Sequence, residues 1–142
     1  MNGDKNPYRV LLIGHGEVGR ALAVRIRGKG ASLIAVDPRG GQDAEGEAIL
    51  KDVPEDLSGF DLVLAAVPSS AALASAETVR DRDSDLVYVD LSSSPVLLMS
   101  RCADLFEDSR TTFVDAAIMG SVDLAGADAP ITIAGPAAAR TG

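Results

Sequence analysis

The hexapeptide Gly-His-Gly-Glu-Val-Gly at 14–19 constrains the fold of this 142-residue chain more than any other segment. It follows an apolar run at 8–13, which is typical of a buried strand, and precedes a stretch at 17–29 whose apolar residues recur at helical spacing. The first glycine permits a sharp turn, and the last lets a helix pack closely on a strand. The pattern therefore predicts a strand–turn–helix unit.

The rest of the chain alternates between predicted strands and predicted helices. Further strands are expected at 31–36, 48–51, 61–67, 85–90, 111–115 and 130–134. Helices are expected at 69–80 and at 94–107, where Ser94 is the N-cap and Pro95 the first helical residue, and a helical turn at 54–57. The glycine-rich, acidic segment 39–47 shows no helical pattern. This order predicts an α/β fold, a doubly wound, mostly parallel sheet of Rossmann type.

Length and composition agree with one globular unit. The length fits a single domain, expected over 8–142 after a flexible N-terminus at 1–7. Hydrophobic residues make up 46% of the chain, but aromatic residues only 4%, so the core must be mainly aliphatic. An aliphatic core is typical of a parallel sheet covered by helices on both faces.

Charge and residue counts argue against several kinds of partner. The net charge of −8, with 13 basic against 21 acidic residues, does not suit a nucleic-acid partner. No apolar run is long enough to span a membrane and no signal peptide is evident, so we expect a cytoplasmic protein. The lone cysteine, Cys102, is expected as a small apolar residue on a helix. One histidine and one cysteine do not form a metal site.

The glycine turn predicts a dinucleotide-binding site, because it lies between a strand and a helix. Gly16 has no side chain, so a pyrophosphate can approach the backbone at the positive end of the helix. A plain tight turn is the structural alternative, and a flavin or mononucleotide is an alternative ligand. His15, inside the turn, lies next to the expected phosphates and is not expected to be catalytic.

An acidic residue at the end of the second strand indicates which dinucleotide is bound. The carboxylate of Asp37 would accept hydrogen bonds from the adenosine ribose and repel the extra phosphate of NADP, so NAD is favoured. Arg39, two residues further on, could accommodate NADP instead. The alternative for Asp37 is that it only begins an Asp-Pro turn.

Three later strand ends resemble one enzyme family. They resemble motifs of the β-hydroxyacid dehydrogenases, which include 6-phosphogluconate and 3-hydroxyisobutyrate dehydrogenases. The matching segments are Val67-Pro68, the stretch from Asp90 through Ser92 and Ser93 to Pro95, and the loop 115–121. The resemblance runs from about 8 to 136. It implies hydride transfer between a nicotinamide cofactor and a small hydroxy acid or related substrate. For Ser94, helix capping remains the preferred interpretation.

Together, the turn and the resemblance define a set of candidate site residues. The cofactor-binding candidates are Gly14, His15, Gly16, Glu17, Val18, Gly19, Asp37, Arg39, Val67, Pro68, Ser69 and Ser92. The substrate-binding candidates are Ser93, Met119, Gly120 and Ser121.

The chain also departs from the family pattern. Met119 stands where the family has a substrate-binding Ser, and Ser121 where it has a second Gly. The family's catalytic Lys lies on a later helix, whereas the lysines here are Lys5, Lys29 and Lys51. By the resemblance, the family's helical domain is not expected within these residues, so catalytic residues are expected from a missing segment, a partner chain or a homo-oligomer. Two alternative functions remain. One is the cofactor domain of a prephenate or arogenate dehydrogenase, a family that carries a catalytic His, and the other is a non-catalytic NAD-binding sensor or subunit.

Overall fold

The computed structural model describes residues 8–118 and 131–134. The strands are β1 (Arg9–Ile13), β2 (Ser32–Val36), β3 (Ile49–Leu50), β4 (Leu62–Ala65), β5 (Val87–Asp90), β6 (Thr112–Ile118) and β7 (Ile131–Ala134). The helices are α1 (Glu17–Gly28), α2 (Ser69–Arg82) and α3 (Val96–Leu105). The segments 1–7, 119–130 and 135–142, which include Met119, Gly120 and Ser121, lie outside the described residues.

The strands form one sheet in the order β3-β2-β1-β4-β5-β6-β7. Neighbouring strands from β3 to β6 are parallel, and β7 pairs antiparallel with β6. The predicted doubly wound, mostly parallel sheet of Rossmann type is therefore confirmed. The chain moves to one side of β1 with β2 and β3 and to the other side with β4, so the strand order reverses between β1 and β4. Ligands of open α/β sheets bind at such a reversal.

Apolar residues cover both faces of the sheet. Along β1, Leu11 and Ile13 face the cluster packed by α2 and α3, while Val10 and Leu12 face the cluster packed by α1. Covering on both faces explains why the strands read as continuous apolar runs. Cys102 of α3 is fully buried in the first cluster, as expected, and burial raises the pKa of its thiol to about 11.

The predicted helical turn at 54–57 is wrong. Arg82 of α2 donates from Nε to the carbonyl oxygen of Pro54 at 2.8 Å and from Nη2 to that of Val53 at 3.2 Å. These carbonyl groups are thus occupied from outside the segment rather than by a local helical bond. A turn forms later, where the Phe60 N–H donates to the Leu57 carbonyl at 3.0 Å.

Two further boundaries differ from expectation at the far side of the sheet. Helix α3 begins at Val96 with Pro95 as its N-cap, so the predicted capping by Ser94 is wrong. The Ser94 hydroxyl instead lies 2.5 Å from that of Ser92. Strand β6 does not end at Asp115 but continues to Ile118, because its last four residues pair with β7.

Candidate functional site

The glycine turn lies at the point where the strand order reverses. Ile13 is in register with Val36 of β2 and Ala65 of β4, so the chain leaves the three strands at one edge. Gly14 has a φ of +97°, which favours glycine, and its N–H donates to the Val36 carbonyl at 2.7 Å. A Cβ at Gly14 would lie 2.2 Å from the carbonyl oxygen of Ala66. The neighbouring backbone leaves no space for a side chain there.

The other two glycines of the turn differ in their surroundings. A Cβ at Gly19 would lie 2.1 Å from the carbonyl oxygen of Gly14, so the close packing of α1 on the turn requires glycine. A Cβ at Gly16 would meet nothing within 4 Å. The space beside Gly16 is therefore open, and a ligand can reach the backbone there.

The amino terminus of α1 offers an anion-binding surface. Gly16 is its N-cap and has no side chain to cap the helix, and the first main-chain bond is from the Arg20 N–H to the Gly16 carbonyl at 2.9 Å. The N–H groups of a first helical turn have no carbonyl partner within the helix, and the helix dipole is positive there. Both features favour a phosphate ligand. Glu17 is exposed in this turn.

Asp37, just after β2, is held close to the glycine turn. It is only 7% exposed, and its Oδ2 accepts the His15 N–H at 2.9 Å. Arg39 donates to Oδ1 from its backbone N–H at 3.0 Å and from Nε at 2.9 Å, and to Oδ2 from Nη2 at 3.1 Å. The Arg39 hydrogen bonds hold the pKa of the Asp37 carboxyl well below its ordinary value, although burial acts in the opposite direction.

A cavity of about 550 Å³ joins these groups, a volume ordinary for a small-molecule site. It brings together seven of the candidate cofactor-binding residues: Gly14, His15, Gly16, Asp37, Arg39, Val67 and Pro68. Five other candidates do not line it: Glu17, Val18, Gly19, Ser69 and Ser92. The single histidine, His15, contributes its backbone N–H to Asp37 and is itself buried.

The sequence patterns missed several residues that line the same cavity. Lys51, Asp52 and Val53 follow β3, and one face of α2 adds Ala71, Ala74, Ser75, Thr78 and Arg82. Lys51 had a usable signal, because it follows the third parallel strand and such strand ends meet at one edge. The face of α2 had none, since its residues are small and uncharged apart from Arg82. Arg39, Lys51 and Arg82 give the cavity three cations in an acidic chain.

The end of β5 and the neighbouring Asp115 of β6 form a second polar region. Asp90 is fully buried, and its Oδ1 accepts the Ser92 N–H at 2.8 Å and the Ser92 hydroxyl at 2.6 Å. Asp90 lies in register with Asp115, and burial together with Asp90 raises the pKa of the Asp115 carboxyl. Asp115 lines a separate cavity of about 230 Å³ beside α3. Ser93 is exposed with a φ of +58° and lines neither cavity.

A somewhat larger cavity, of about 590 Å³, lies at the carboxyl-terminal ends of α2 and α3. Its lining includes Asp81, Asp83, Asp104 and Asp108, which would repel an anionic nucleotide. The cavity at the glycine turn is therefore the better candidate.

Within 8–118 and 131–134, no group of three His, Cys, Asp or Glu side chains is placed to hold a metal ion. None of the helices in this part has the length and apolar character needed to cross a membrane.

Comparison with known proteins gives one family match. The model for the NAD binding domain of 6-phosphogluconate dehydrogenase matches residues 9–141. No curated protein sequence matches the chain.

Several solved structures share the fold. A conserved hypothetical protein from Sinorhizobium meliloti 1021 has a TM-score of 0.80 and 27% identity, with 94% of this chain and 49% of that one covered. A 3-hydroxyisobutyrate dehydrogenase from Mycobacterium tuberculosis, solved with L-serine, has a TM-score of 0.79 and 19% identity, with coverages of 95% and 49%. An imine reductase from Myxococcus stipitatus in complex with NADP+ has a TM-score of 0.72 and 22% identity, with coverages of 94% and 49%. The chain spans about half the length of each.

Proposed function

This chain belongs to the family of the NAD-binding domain of 6-phosphogluconate dehydrogenase, and we propose that it holds NAD for hydride exchange with a small hydroxy acid or a related substrate. One observation carries the proposal. The buried carboxylate of Asp37 and the uncapped amino terminus of α1 border one cavity, at the reversal of strand order. A dinucleotide needs both groups, one for a ribose and one for phosphates.

The pyrophosphate is proposed to lie against the backbone of 14–16. The open space beside Gly16 leaves room for it, and the first N–H groups of α1 supply donors and positive potential. Glu17, Val18 and Gly19 do not line the cavity, so their proposed contribution is limited to the backbone N–H groups of the first helical turn.

The adenosine ribose is proposed to bind Asp37. A carboxylate accepts hydrogen bonds from two ribose hydroxyls, but it repels a 2′-phosphate, which favours NAD over NADP. The low pKa of Asp37 means that this group is ionised at neutral pH and acts only as an acceptor. Arg39, beside it, is the proposed partner of a 2′-phosphate if NADP is bound.

The nicotinamide is proposed to lie towards Val67, Pro68, Ser69 and Ser92, as the family resemblance implies. When bound, it donates or accepts the hydride at its C4 position. The chain's own task is to orient the ring beside the second polar region. Ser93 and the residues Met119, Gly120 and Ser121 are the proposed substrate contacts. The 3-hydroxyisobutyrate dehydrogenase solved with L-serine, itself a small hydroxy acid, supports this substrate class.

The group that transfers the proton is proposed to come from a partner chain or a further segment. Within the described residues, the lysines are Lys29 and Lys51, on the α1–β2 connection and after β3, away from the second polar region. We expect the chain alone to bind NADH. In a separate assay with NAD, we expect it not to oxidise any of a panel of small hydroxy acids. Turnover by the chain alone would contradict this part of the proposal. A non-catalytic NAD-binding subunit would show no turnover with any partner.

Isothermal titration calorimetry tests the cofactor site. The wild-type chain is titrated with NADH and, separately, with NADPH, beside Asp37→Asn. We expect saturable NADH binding, weakened about tenfold or more in the variant, because hydrogen bonds to a charged acceptor are lost. Asp85→Asn is the matched control, since Asp85 is exposed and does not line the cavity. Equal losses in the two variants would overturn the proposal. So would the absence of NADH binding both in the wild type and in Arg39→Ala, which lacks the guanidinium that contacts Asp37.

A further inference from the structure

The carboxylate of Asp37 is fully occupied within the protein itself. A carboxylate offers about four acceptor positions, two on each oxygen. Oδ1 accepts the backbone N–H and the Nε–H of Arg39, and Oδ2 accepts the His15 N–H and an Nη2–H of Arg39, at 2.9 to 3.1 Å. A ribose with two hydroxyl donors therefore finds no acceptor position free on this group.

The four donors differ in how easily they can leave. The His15 and Arg39 N–H groups belong to the backbone, and the turn that holds His15 is tightly packed around Gly14. The two guanidinium donors belong to a side chain that is 73% exposed, whereas the Asp37 side chain is 9% exposed. The guanidinium can therefore move into water at little cost, while the carboxylate stays where it is.

We propose that Arg39 is an intramolecular competitor of the NAD ribose: its guanidinium occupies the two Asp37 acceptor positions that the ribose needs, and NAD binding displaces it. This inference rests on the proposed function of Asp37. A guanidinium bound to Asp37 and a bound ribose exclude each other. The apparent association constant for NAD is therefore the intrinsic constant multiplied by the fraction of molecules in which Arg39 has left Asp37.

The competition affects the two dinucleotides differently. NAD gains from the loss of Arg39, because the carboxylate becomes available to its ribose. A ribose that carries a 2′-phosphate has one hydroxyl fewer to donate, and a guanidinium is a bidentate partner for phosphate. The same side chain therefore opposes NAD and favours NADP.

The first experiment measures affinity by calorimetry in wild type, Arg39→Ala and Arg39→Lys. We expect Arg39→Ala to bind NADH about two- to fivefold more tightly, the range that follows from losing one exposed ion pair. Arg39→Lys, which keeps the charge but loses the bidentate geometry, should fall between the two. NADPH binding should weaken in Arg39→Ala. Arg101→Ala is the control for net charge, because Arg101 is exposed on α3 and does not line the cavity.

The second experiment observes the guanidinium directly. The ¹⁵N resonance of the Arg39 Nε–H is assigned by its loss in Arg39→Lys and followed during titration. Saturating NADH should shift it and speed its exchange with water. Nicotinamide mononucleotide, which lacks the adenosine ribose, should leave it unchanged.

The outcomes separate the two proposals. The competition is overturned if the wild type binds NADH as tightly as Arg39→Ala does or more tightly. It is also overturned if the Arg39 resonance does not move at saturating NADH. Either result leaves the proposed function intact. If Arg39→Ala binds NADH and the wild type does not, the competition is supported in its strongest form. Absence of binding in both forms overturns the cofactor site and the competition together.

Discussion

The two polar regions at the edge of the sheet are built in different ways. Around the glycine turn, Gly14 and Gly19 let backbone approach backbone so closely that an added Cβ would lie 2.2 or 2.1 Å from a carbonyl oxygen. At the end of β5, in the second polar region, side chains bond to one another, as the Ser92 hydroxyl does to Asp90 and Ser94. The first region depends on the absence of side chains, and the second depends on their presence.

The difference shows which region tolerates change. A backbone turn enclosed by neighbouring strands cannot adjust to an added atom without moving those strands. A side-chain network loses only the bonds of the residue that is replaced. We therefore expect substitutions at the enclosed Gly14 and Gly19 to affect the whole fold and substitutions in the network to act locally. Four predictions test this comparison, in order of decreasing effect.

Gly14→Ala should have the largest effect on stability. The substitution places a Cβ 2.2 Å from the Ala66 carbonyl oxygen at a φ of +97°. Strain and overpacking together should lower the free energy of unfolding by about 3 kcal/mol or more in urea denaturation. Gly16→Ala, whose Cβ meets nothing within 4 Å, should change it by less than about 1 kcal/mol while weakening NADH binding. Equal destabilisation by both variants would break the comparison.

Tyr88→Phe should stabilise the protein. Tyr88 is fully buried on β5, stacked on Phe106 and Phe113, and its hydroxyl has no hydrogen-bond partner among the described residues. Removing an unpaired buried polar group should raise the free energy of unfolding by about 1 to 2 kcal/mol. Tyr8→Phe is the control, because Tyr8 is 72% exposed and should show almost no change. A loss of stability in Tyr88→Phe would mean that a polar group reaches this hydroxyl.

Ser92→Ala should have a smaller, local effect. It removes the hydroxyl that donates to Asp90 at 2.6 Å, and a net cost of about 1 kcal/mol is expected from thermal denaturation. Ser100→Ala provides the comparison, because Ser100 is exposed on α3 and alanine suits a helix at least as well. Destabilisation as large as that of Gly14→Ala would show that the second region also supports the whole fold.

Asp37→Asn should have the smallest effect on stability, and the effect should depend on pH. The folded-state pKa of Asp37 lies below its unfolded value of about 3.9, so the stabilisation is present above that pH and is lost as the pH falls. Because Arg39 is mostly exposed, we expect the wild type to exceed the variant by only a few tenths of a kcal/mol at pH 7. Denaturation at pH 7 and at pH 3 measures this, with Asp85→Asn as the control. A difference that grows at pH 3 would contradict the prediction.

Much of the architecture was predictable because its determinants are local. Each strand is an apolar run, α1 has an apolar face, and the glycine turn joins them, so the Rossmann order follows. The errors occurred where another side chain, distant in one case and two residues away in the other, takes a group to which the local pattern had assigned a different role. Arg82 takes the carbonyl groups of the expected turn at 54–57, and Ser92 engages the hydroxyl of Ser94 that was expected to cap α3.

The candidate site was predicted unevenly for the same reason. Gly14, Gly16 and Asp37 were identified because their roles depend on backbone geometry and on position after a strand. Lys51 had the same positional signal but was missed, whereas the face of α2 entered the cavity only through packing. The spacing of two residues did not show that the exposed guanidinium of Arg39 would occupy the carboxylate of Asp37.

By itself, the sequence determined the order of strands and helices, the covered sheet and the turn that can receive a phosphate. These depend on apolar patterning and on backbone conformations that only glycine adopts easily, which act over a few residues. Only the tertiary structure decided which distant polar groups are partners: Asp37 with His15, and Arg82 with the carbonyl groups of Val53 and Pro54. A hydrogen bond requires a donor within about 3 Å of its acceptor, and only the packed chain establishes that distance between separate elements.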